Sequence, residues 1–242
     1  MKYYEARRTS DPSVVGDEWQ FKFAADERNV SALSELESVF KANWATGIVT
    51  ALSKSVQPIR ACITDKAILT SFAYGNRALM NCPFAVTDQV KEMLSSLSLR
   101  PCIFHPLELE NSNVQYSLFH YPTVLNDAIV FPASRFFTGS SLGGPKTYHA
   151  IASQDDHLAF IKSPGGAMLR PDYIEVTPGL LGVFDVLAFR FGRMFFSDRL
   201  VVMANELKLS GLNFLLASDD AHPNRIHFTN TGLQPGLAST ED

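Results

Sequence analysis

Phe195-Phe196-Ser197-Asp198-Arg199-Leu200, continuing to Gly211-Leu212-Asn213-Phe214-Leu215, is the stretch that decides the fold. The aromatic pair favours a strand, and Ser197 can begin a helix because its hydroxyl can accept a hydrogen bond from a backbone N–H of the first turn. Asp198 places a negative charge where the helix dipole favours one. One apolar helical face follows, formed by Leu200, Met203, Ala204 and Leu207. Gly211 suits the end of this helix, so the stretch predicts a strand, a capped helix and a second strand.

A related pattern lies 110 residues earlier, where Thr87-Asp88 takes the place of Ser197-Asp198. Five more pairs keep this offset without a gap: Val90 with Leu200, Met93 with Met203, Leu97 with Leu207, Leu99 with Leu209 and Phe104 with Phe214. We therefore predict two related strand–helix–strand units, at about residues 84–106 and 194–216. A chance match between two common strand–helix–strand patterns is the alternative. The residues interpreted as structural helix caps are Thr87, Asp88, Ser197 and Asp198.

The composition is that of a folded globular protein, with 46% hydrophobic and 19% charged residues over 242 positions. The net charge of −4 argues against a nucleic-acid partner, which normally requires a basic patch. The three cysteines form no CxxC pair, so we expect no zinc site, no disulfide framework and no cofactor. The sequence also contains no apolar run of membrane-spanning length and no apolar signal segment at its start, so no membrane partner and a cytoplasmic location are expected.

The mixture of strand and helix patterns predicts an α+β fold, with a mixed or mainly antiparallel sheet and a few helices. We predict three segments along the chain. Residues 1–80 form an N-terminal α+β segment packed on the rest, and residues 81–217 form a body that contains both units. Residues 218–242 are a tail whose last residues are expected to be disordered.

Local patterns predict further elements in these segments. Met1–Arg8 is a candidate edge strand, and Trp19–Phe23 alternates with period two, which is typical of a half-buried strand. A short helical stripe is formed by Leu33, Leu36, Val39 and Phe40. Leu158-Ala159-Phe160-Ile161 has the character of a strand.

Two stretches place carboxylates beside an imidazole, and these groups could form an acid–base pair or a metal site. They are Asp155-Asp156-His157 and Asp219-Asp220-Ala221-His222. Neither spacing matches a dedicated motif, and both lie in sequence typical of turns, so solvated surface charges are the simpler interpretation. Gly139–Gly144 lacks the spacing and the lysine of a phosphate-binding loop. We therefore predict no catalytic residues and no enzymatic activity.

Three segments resemble signatures of a bacterial immunity-protein family that accompanies polymorphic toxins, including toxins of contact-dependent and type VI secretion systems. Phe84-x-Val86-Thr87-Asp88-x-Val90-Lys91-x-x-Leu94, with Phe104-x-Pro106-Leu107-Glu108-Leu109, is similar to the first signature. Asn126-Asp127-Ala128 resembles its central acidic segment, although a Leu-Asp pair would be usual there. Phe189-Arg190-Phe191, with Phe195–Leu200 and Leu209–Phe214, is similar to the C-terminal signature. The resemblance covers about residues 84–217.

The resemblance implies an immunity protein that binds and neutralises a cognate toxin, encoded next to it, by occluding the toxin's active site or substrate access. Many toxins that act on nucleic acids are basic around the cleft, so acidic residues could contact them and speed association. The residues predicted to bind the toxin are Asp155, Asp156, Asp219, Asp220, Asp17 and Glu18. The alternative is that these charges only keep the surface soluble.

The sequence is also compatible with two other classes of function. One is an enzyme that reverses a toxin's modification, which would need a cleft that gathers Asp155, His157, Asp219 and His222. The other is a non-catalytic regulatory module that associates with itself through sheet edges.

Overall fold

The computed structural model describes residues 1–16, 19–46, 49, 57–76, 79, 82–121, 128–139, 145–163, 169–177, 182–189 and 193–217. The fold is α+β, with thirteen strands and five α-helices among these residues. The strands are β1 (Tyr3–Arg8), β2 (Phe21–Phe23), β3 (Ile59–Ile63), β4 (Phe72–Ala73), β5 (Ala85–Thr87), β6 (Ile103–Glu110), β7 (Tyr116–His120), β8 (Arg135–Gly139), β9 (Lys146–His149), β10 (Arg170–Tyr173), β11 (Val186–Phe189), β12 (Arg193–Ser197) and β13 (Leu212–Leu216). The helices are α1 (Pro12–Val15), α2 (Glu27–Thr46), α3 (Asp88–Ser95), α4 (Gln154–Lys162) and α5 (Asp198–Glu206).

The chain forms two compact bodies, and their bounds differ from the segments expected from the sequence. The larger body combines residues 2–126 with 184–216, and the smaller body is built on residues 127–183. Strands from residues 1–80 share sheets with strands from the later chain in the larger body. The tail at 218–242 lies outside the described residues.

A six-stranded sheet in the larger body has the order β2-β3-β6-β7-β5-β4, in which only β3 and β6 pair in parallel. Alternating side chains of its strands enter two different cores, because successive residues of a strand point to opposite faces. Leu118 faces the core that contains Leu36 and Phe40 of α2. Phe119 faces the core that contains α3 and α5. Of the predicted stripe of α2, Leu33, Leu36 and Phe40 lie in the core, whereas Val39 is only half-buried and the helix extends well beyond the stripe.

A four-stranded antiparallel sheet in the same body has the order β11-β12-β1-β13. The prediction that Met1–Arg8 forms an edge strand is wrong, because β1 lies between two partners. Tyr3 is opposite Ser197 on one side, and Tyr4 is opposite Leu216 on the other. The alternation of apolar and polar residues indicates which face of a strand is buried, but it does not indicate whether the strand pairs with one neighbouring strand or with two.

Both predicted strand–helix–strand units are present, as β5-α3-β6 and β12-α5-β13, and their helices begin at Asp88 and Asp198. Each unit also has a further pair of strands in equivalent places, so β4-β5-β7-β6 matches β11-β12-β1-β13 in order and direction. We call these two assemblies the first repeat and the second repeat. In the second repeat, the strand between β12 and β13 is β1, which comes from the N-terminal part of the chain.

The pairing registers of the two repeats agree residue by residue. Thr87 is opposite Tyr116 in the first repeat, as Ser197 is opposite Tyr3 in the second. In the next strand pair, Phe104 is opposite Phe119, and Phe214 is opposite Ala6. The agreement in both strand pairs shows that the constant offset in the sequence reflects a structural repeat.

The two repeats pack on each other around one apolar core. The core side chains from the two helices are Val90, Met93, Leu94, Leu200, Val201 and Ala204. Phe72 and Phe196 add aromatic rings whose centroids lie 6.4 Å apart. Hydrogen bonds also cross between the repeats, from Phe72 N to Ser210 O (3.1 Å) and from Ser210 N to Ser71 Oγ (3.2 Å).

Gly211 lies at this junction with a backbone φ of +103°, and a Cβ atom there would lie 2.3 Å from Phe72 O and 2.6 Å from Thr70 Oγ1. Gly211→Ala is therefore expected to destabilise the protein by about 2–3 kcal/mol, since it adds a clash and a strained backbone. The measurement is urea unfolding followed by circular dichroism. Pro101, at the equivalent position of the first repeat, is exposed, and Pro101→Ala is the matched control with an expected loss below about 0.5 kcal/mol. Equal losses would contradict the role given to Gly211.

The smaller body contains a three-stranded antiparallel sheet with the order β10-β8-β9. The prediction of a strand at 158–161 is wrong, because these residues belong to α4. The Ser153 hydroxyl accepts a hydrogen bond from Asp156 N (3.1 Å) and thereby starts that helix. Among all described helices, none is both long and apolar enough to cross a membrane.

Candidate partner-binding site

The acidic residues predicted to bind a toxin are only partly within the described chain. Asp155 and Asp156 lie in the first turn of α4, and both are exposed. The Asp156 carboxylate accepts a hydrogen bond from Ala152 N (3.1 Å), so it helps to hold the start of the helix. The Asp155 carboxylate is the more available of the two for a partner. The predicted sites outside the described residues are Asp17, Glu18, Asp219 and Asp220.

Of the four residues interpreted as helix caps, the two at the N-cap positions, Thr87 and Ser197, differ in what their side chains do. Ser197 caps α5 as predicted, since its hydroxyl accepts a hydrogen bond from Leu200 N (3.1 Å). Thr87 occupies the corresponding backbone position of α3, but its side chain makes no capping bond, and Thr87 Oγ1 has no hydrogen-bond partner in the described chain. The cap predicted at Thr87 is therefore wrong at the level of the side chain. Asp88 and Asp198 are each the first residue of their helix, as expected.

Asp185 explains this difference between the repeats. Its carboxylate is buried, with 1% of the residue exposed, and it accepts hydrogen bonds from Ser197 Oγ (2.6 Å) and Ser98 N (2.8 Å). It also forms an ion pair with Arg199. The equivalent residue in the first repeat is Ser71, because Ser71 O accepts from Thr87 N as Asp185 O accepts from Ser197 N. A serine has no carboxylate to orient the Thr87 hydroxyl.

Burial by itself raises the pKa of Asp185, but the hydrogen bonds from Arg199, Ser197 and Ser98 outweigh it and hold the pKa below the ordinary value. The group is thus ionised at neutral pH and acts as a structural anion. The burial of Asp185 is difficult to predict from the sequence, because no local pattern marks an acidic residue just before an apolar strand as buried.

The larger body contains an apolar pocket of about 220 Å³, which we call the aromatic pocket. It is lined by Trp19, Phe21, Phe23, Tyr74, Gly75, Leu79, Cys82, Pro83, Phe84, Ala85 and Leu118. The floor consists of core side chains, and Phe21, Phe84 and Leu118 are each at most 3% exposed. Trp19, by contrast, is 36% exposed at the rim. The pocket therefore joins the apolar core to the surface.

Short segments far apart in the chain build this pocket. Trp19 precedes β2, Tyr74 follows β4, and the bridge between Phe21 and Gly75 brings the two segments together. Gly75 has to lack a side chain, because a Cβ atom would lie 2.5 Å from the Phe21 ring. Sequence reasoning placed Trp19 in a strand but missed the pocket, since the bridge that forms it joins residues distant in the sequence.

Arg8 brings a positive charge next to two of the residues that line the aromatic pocket. Its guanidinium carbon lies 4.9 Å from the centroid of the Trp19 ring and 5.5 Å from that of Tyr74. Both distances are within the range of a cation–π interaction. Burial raises the pKa of the Tyr74 hydroxyl, and the Arg8 charge opposes this shift. The phenol therefore stays neutral at physiological pH.

The pairs of carboxylate and imidazole do not form a shared exposed cleft in the part of the chain that can be described. His157 is 3% exposed and packs near the rings of Phe131 and Phe136, whereas Asp155 is exposed. His222 lies outside the described residues. Across the described ranges, no group of three or more His, Cys, Asp or Glu side chains is placed to hold a metal ion.

The aromatic pocket could therefore contact another molecule. Its apolar floor can bury a side chain, and Trp19 and Tyr74 offer aromatic rings next to the charge of Arg8. Comparison with known proteins adds no candidate family, because no protein-family model and no curated protein matches the chain.

Proposed function

We propose that the protein is an immunity protein, which binds a cognate antibacterial toxin in the cytoplasm and occludes its active site or its access to substrate. The observation that carries this proposal is the aromatic pocket, because Trp19 and Tyr74 line it and Arg8 lies against both of these rings. Tryptophan, tyrosine and arginine are the residue types that dominate hot spots of protein–protein interfaces. The resemblance of residues 84–217 to immunity proteins supplies the class of partner.

The residues that carry the resemblance are part of the scaffold. Val86, Val90, Leu94, Phe196 and Leu200 are all 0% exposed. Buried side chains cannot contact a partner, so these signatures stabilise the two repeats and leave recognition to the surface. This division is consistent with a family in which one fold binds different toxins.

Neutralisation by occlusion requires a broad contact around such an anchor. A stable interface buries about 800 Å² on each partner, and a dissociation constant near nanomolar corresponds to about −12 kcal/mol. A few desolvated anchors supply most of that free energy, while the polar rim excludes water. The aromatic pocket of the larger body would provide one such anchor. Asp155, which belongs to the smaller body, is tested separately below.

The proposal is tested with the protein encoded by the adjacent gene. Co-expression is expected to restore growth to cells that make that protein, and the two proteins are expected to co-purify as a complex. Gly211→Ala serves as a stability control, because a loss of rescue with that variant reports folding and not recognition. Rescue without any complex would contradict occlusion and favour an enzyme that reverses the toxin's modification. Failure of both rescue and binding would refute the proposal.

Asp155→Ala is expected to slow association with this toxin about threefold at low ionic strength, because an exposed charge acts mainly through long-range attraction. The measurement is the association rate by stopped flow at two salt concentrations. Asp156→Ala is the comparison, since it also removes the hydrogen bond to Ala152 N and should lower the stability of the helix. An unchanged association rate for Asp155→Ala at low salt would remove this residue from the interface.

A further inference from the structure

The size of the aromatic pocket limits what it can hold. Its volume of about 220 Å³ is below the range of about 300–1,000 Å³ that is usual for small-molecule and cofactor sites. A pocket of this size suits a single large side chain. Its floor of Phe21, Phe84 and Leu118 offers no charged group, so the side chain that enters should be aromatic or branched aliphatic.

The positive charge of Arg8 next to the pocket determines what should stand beside that side chain. Arg8 has no carboxylate within ion-pair distance anywhere in the described chain, whereas its neighbour Arg7 is bound to Glu5 at 2.8 Å. The Arg8 guanidinium carbon lies within cation–π distance of both rings. A guanidinium has five N–H donors, so one held in this way can still donate to a carboxylate. Arg8 therefore favours a partner with negative charge next to the apolar group.

We propose that the aromatic pocket receives one apolar side chain of the toxin while Arg8 pairs with a carboxylate next to that side chain. The inference rests on the proposed function for the identity of the partner, but not for the chemistry of the pocket. It assigns recognition to Arg8, Trp19 and Tyr74, which come from three separate segments of the chain. It also explains why a tryptophan remains partly exposed over a cation at the edge of an otherwise buried core.

The pocket chemistry can be tested without the toxin, using N-acetylphenylalanine and its uncharged analogue N-acetylphenylalaninamide. The Trp44→Phe variant leaves Trp19 as the only tryptophan, so its fluorescence reports binding. The carboxylate compound is expected to bind about threefold to fivefold more tightly than the amide, as for a partly exposed ion pair. Equal binding of the two compounds, or no change in Trp19 emission with either, would overturn the proposal. If Trp44→Phe lowers the thermal midpoint, the indole N–H signal of Trp19 is followed by NMR in the unmodified protein.

Two matched variants test the role of the charge. Arg8→Gln is expected to abolish the difference between the two compounds, because a glutamine side chain carries no charge and cannot form an ion pair with the carboxylate. Arg7→Gln lies on the same strand but pairs with Glu5, so it should leave the difference unchanged. A difference that persists in Arg8→Gln would overturn the assignment of this residue. Binding that appears only after removal of residues 218–242 would show that the chain's own tail is the occupant, and would also overturn it.

The toxin itself separates this inference from the proposed function. Trp19→Ala and Arg8→Gln are each expected to weaken the complex with the protein of the adjacent gene at least tenfold, as loss of an anchor does. If the unmodified protein binds and rescues growth but both variants bind equally well, the pocket inference is wrong and the proposed function stands. If the unmodified protein does not bind that toxin, the proposed function fails, and the two phenylalanine compounds still decide the chemistry of the pocket.

Discussion

Deletion of residues 1–8 is expected to abolish the cooperative unfolding transition of the larger body. These residues contain β1, which pairs with β12 on one side and with β13 on the other. Its loss would leave two unpaired strand edges and remove the buried Tyr3 ring, which is 2% exposed. The expected loss exceeds about 5 kcal/mol, which is comparable with the whole stability of many domains. Thermal unfolding followed by circular dichroism is the measurement.

A permuted chain should restore this transition, because the second repeat needs the strand and not its place in the sequence. In the first repeat, Glu108–Gln115 connect Leu107 to Tyr116, and the equivalent residues of the second repeat are Ala217 and Tyr3. The permuted chain therefore runs from Thr9 to Ala217, through a copy of Glu108–Gln115, to Tyr3–Arg8. Deletion of Met1 alone, which is exposed and precedes β1, is the control and should cost little. Lys2 is kept in that control because its carbonyl accepts a hydrogen bond from Asp198 N (2.9 Å). A deletion of 1–8 that still unfolds cooperatively at the original midpoint would contradict the central place of β1.

The repeat illustrates which parts of the fold a sequence can predict. The helices begin at Asp88 and Asp198 as expected, because the local apolar period and the first-turn charge are both encoded within ten residues. The place of β1 was mispredicted, because pairing between strands almost 200 residues apart leaves no local pattern. The helix at 154–162 was missed for a different reason, since the apolar residues at 158–161 satisfy both helix and strand patterns and Ser153 decides between them.

The candidate site was harder to predict than the fold. Sequence reasoning looked for acidic clusters, and it could locate Asp155 and Asp156 because charge is visible in a single residue. The aromatic pocket has no such signal, since Arg8, Trp19 and Tyr74 become neighbours only when β1, β2 and β4 are in place. A partly exposed tryptophan beside an arginine can be recognised as a binding feature only from the three-dimensional arrangement.

Asp185→Ala is expected to destabilise the protein by about 3 kcal/mol at pH 7, because it removes the acceptor for Ser197 Oγ and Ser98 N from a buried site. Most of this loss should come from these two donors. The Arg199 side chain is 51% exposed, so water can solvate its charge once the partner is gone. Arg199→Ala is the comparison, with a smaller expected loss of about 1–2 kcal/mol, because the buried carboxylate keeps its two other donors but loses its counter-charge. Urea unfolding of both variants measures the difference.

The dependence on pH distinguishes an ionised Asp185 from a neutral one. Its pKa in the folded protein lies below the ordinary value, so its contribution is fully present above the unfolded-state pKa of about 4 and is lost as pH falls through the folded-state pKa. The difference in unfolding free energy between the unmodified protein and Asp185→Ala should thus be constant from about pH 5 to 7 and shrink below about pH 4. A difference that grows on acidification would mean that the buried carboxyl is protonated in the folded state. In that case the carboxyl would hold Ser197 as a neutral hydrogen-bonding group, and the ion pair with Arg199 would contribute nothing to the second repeat.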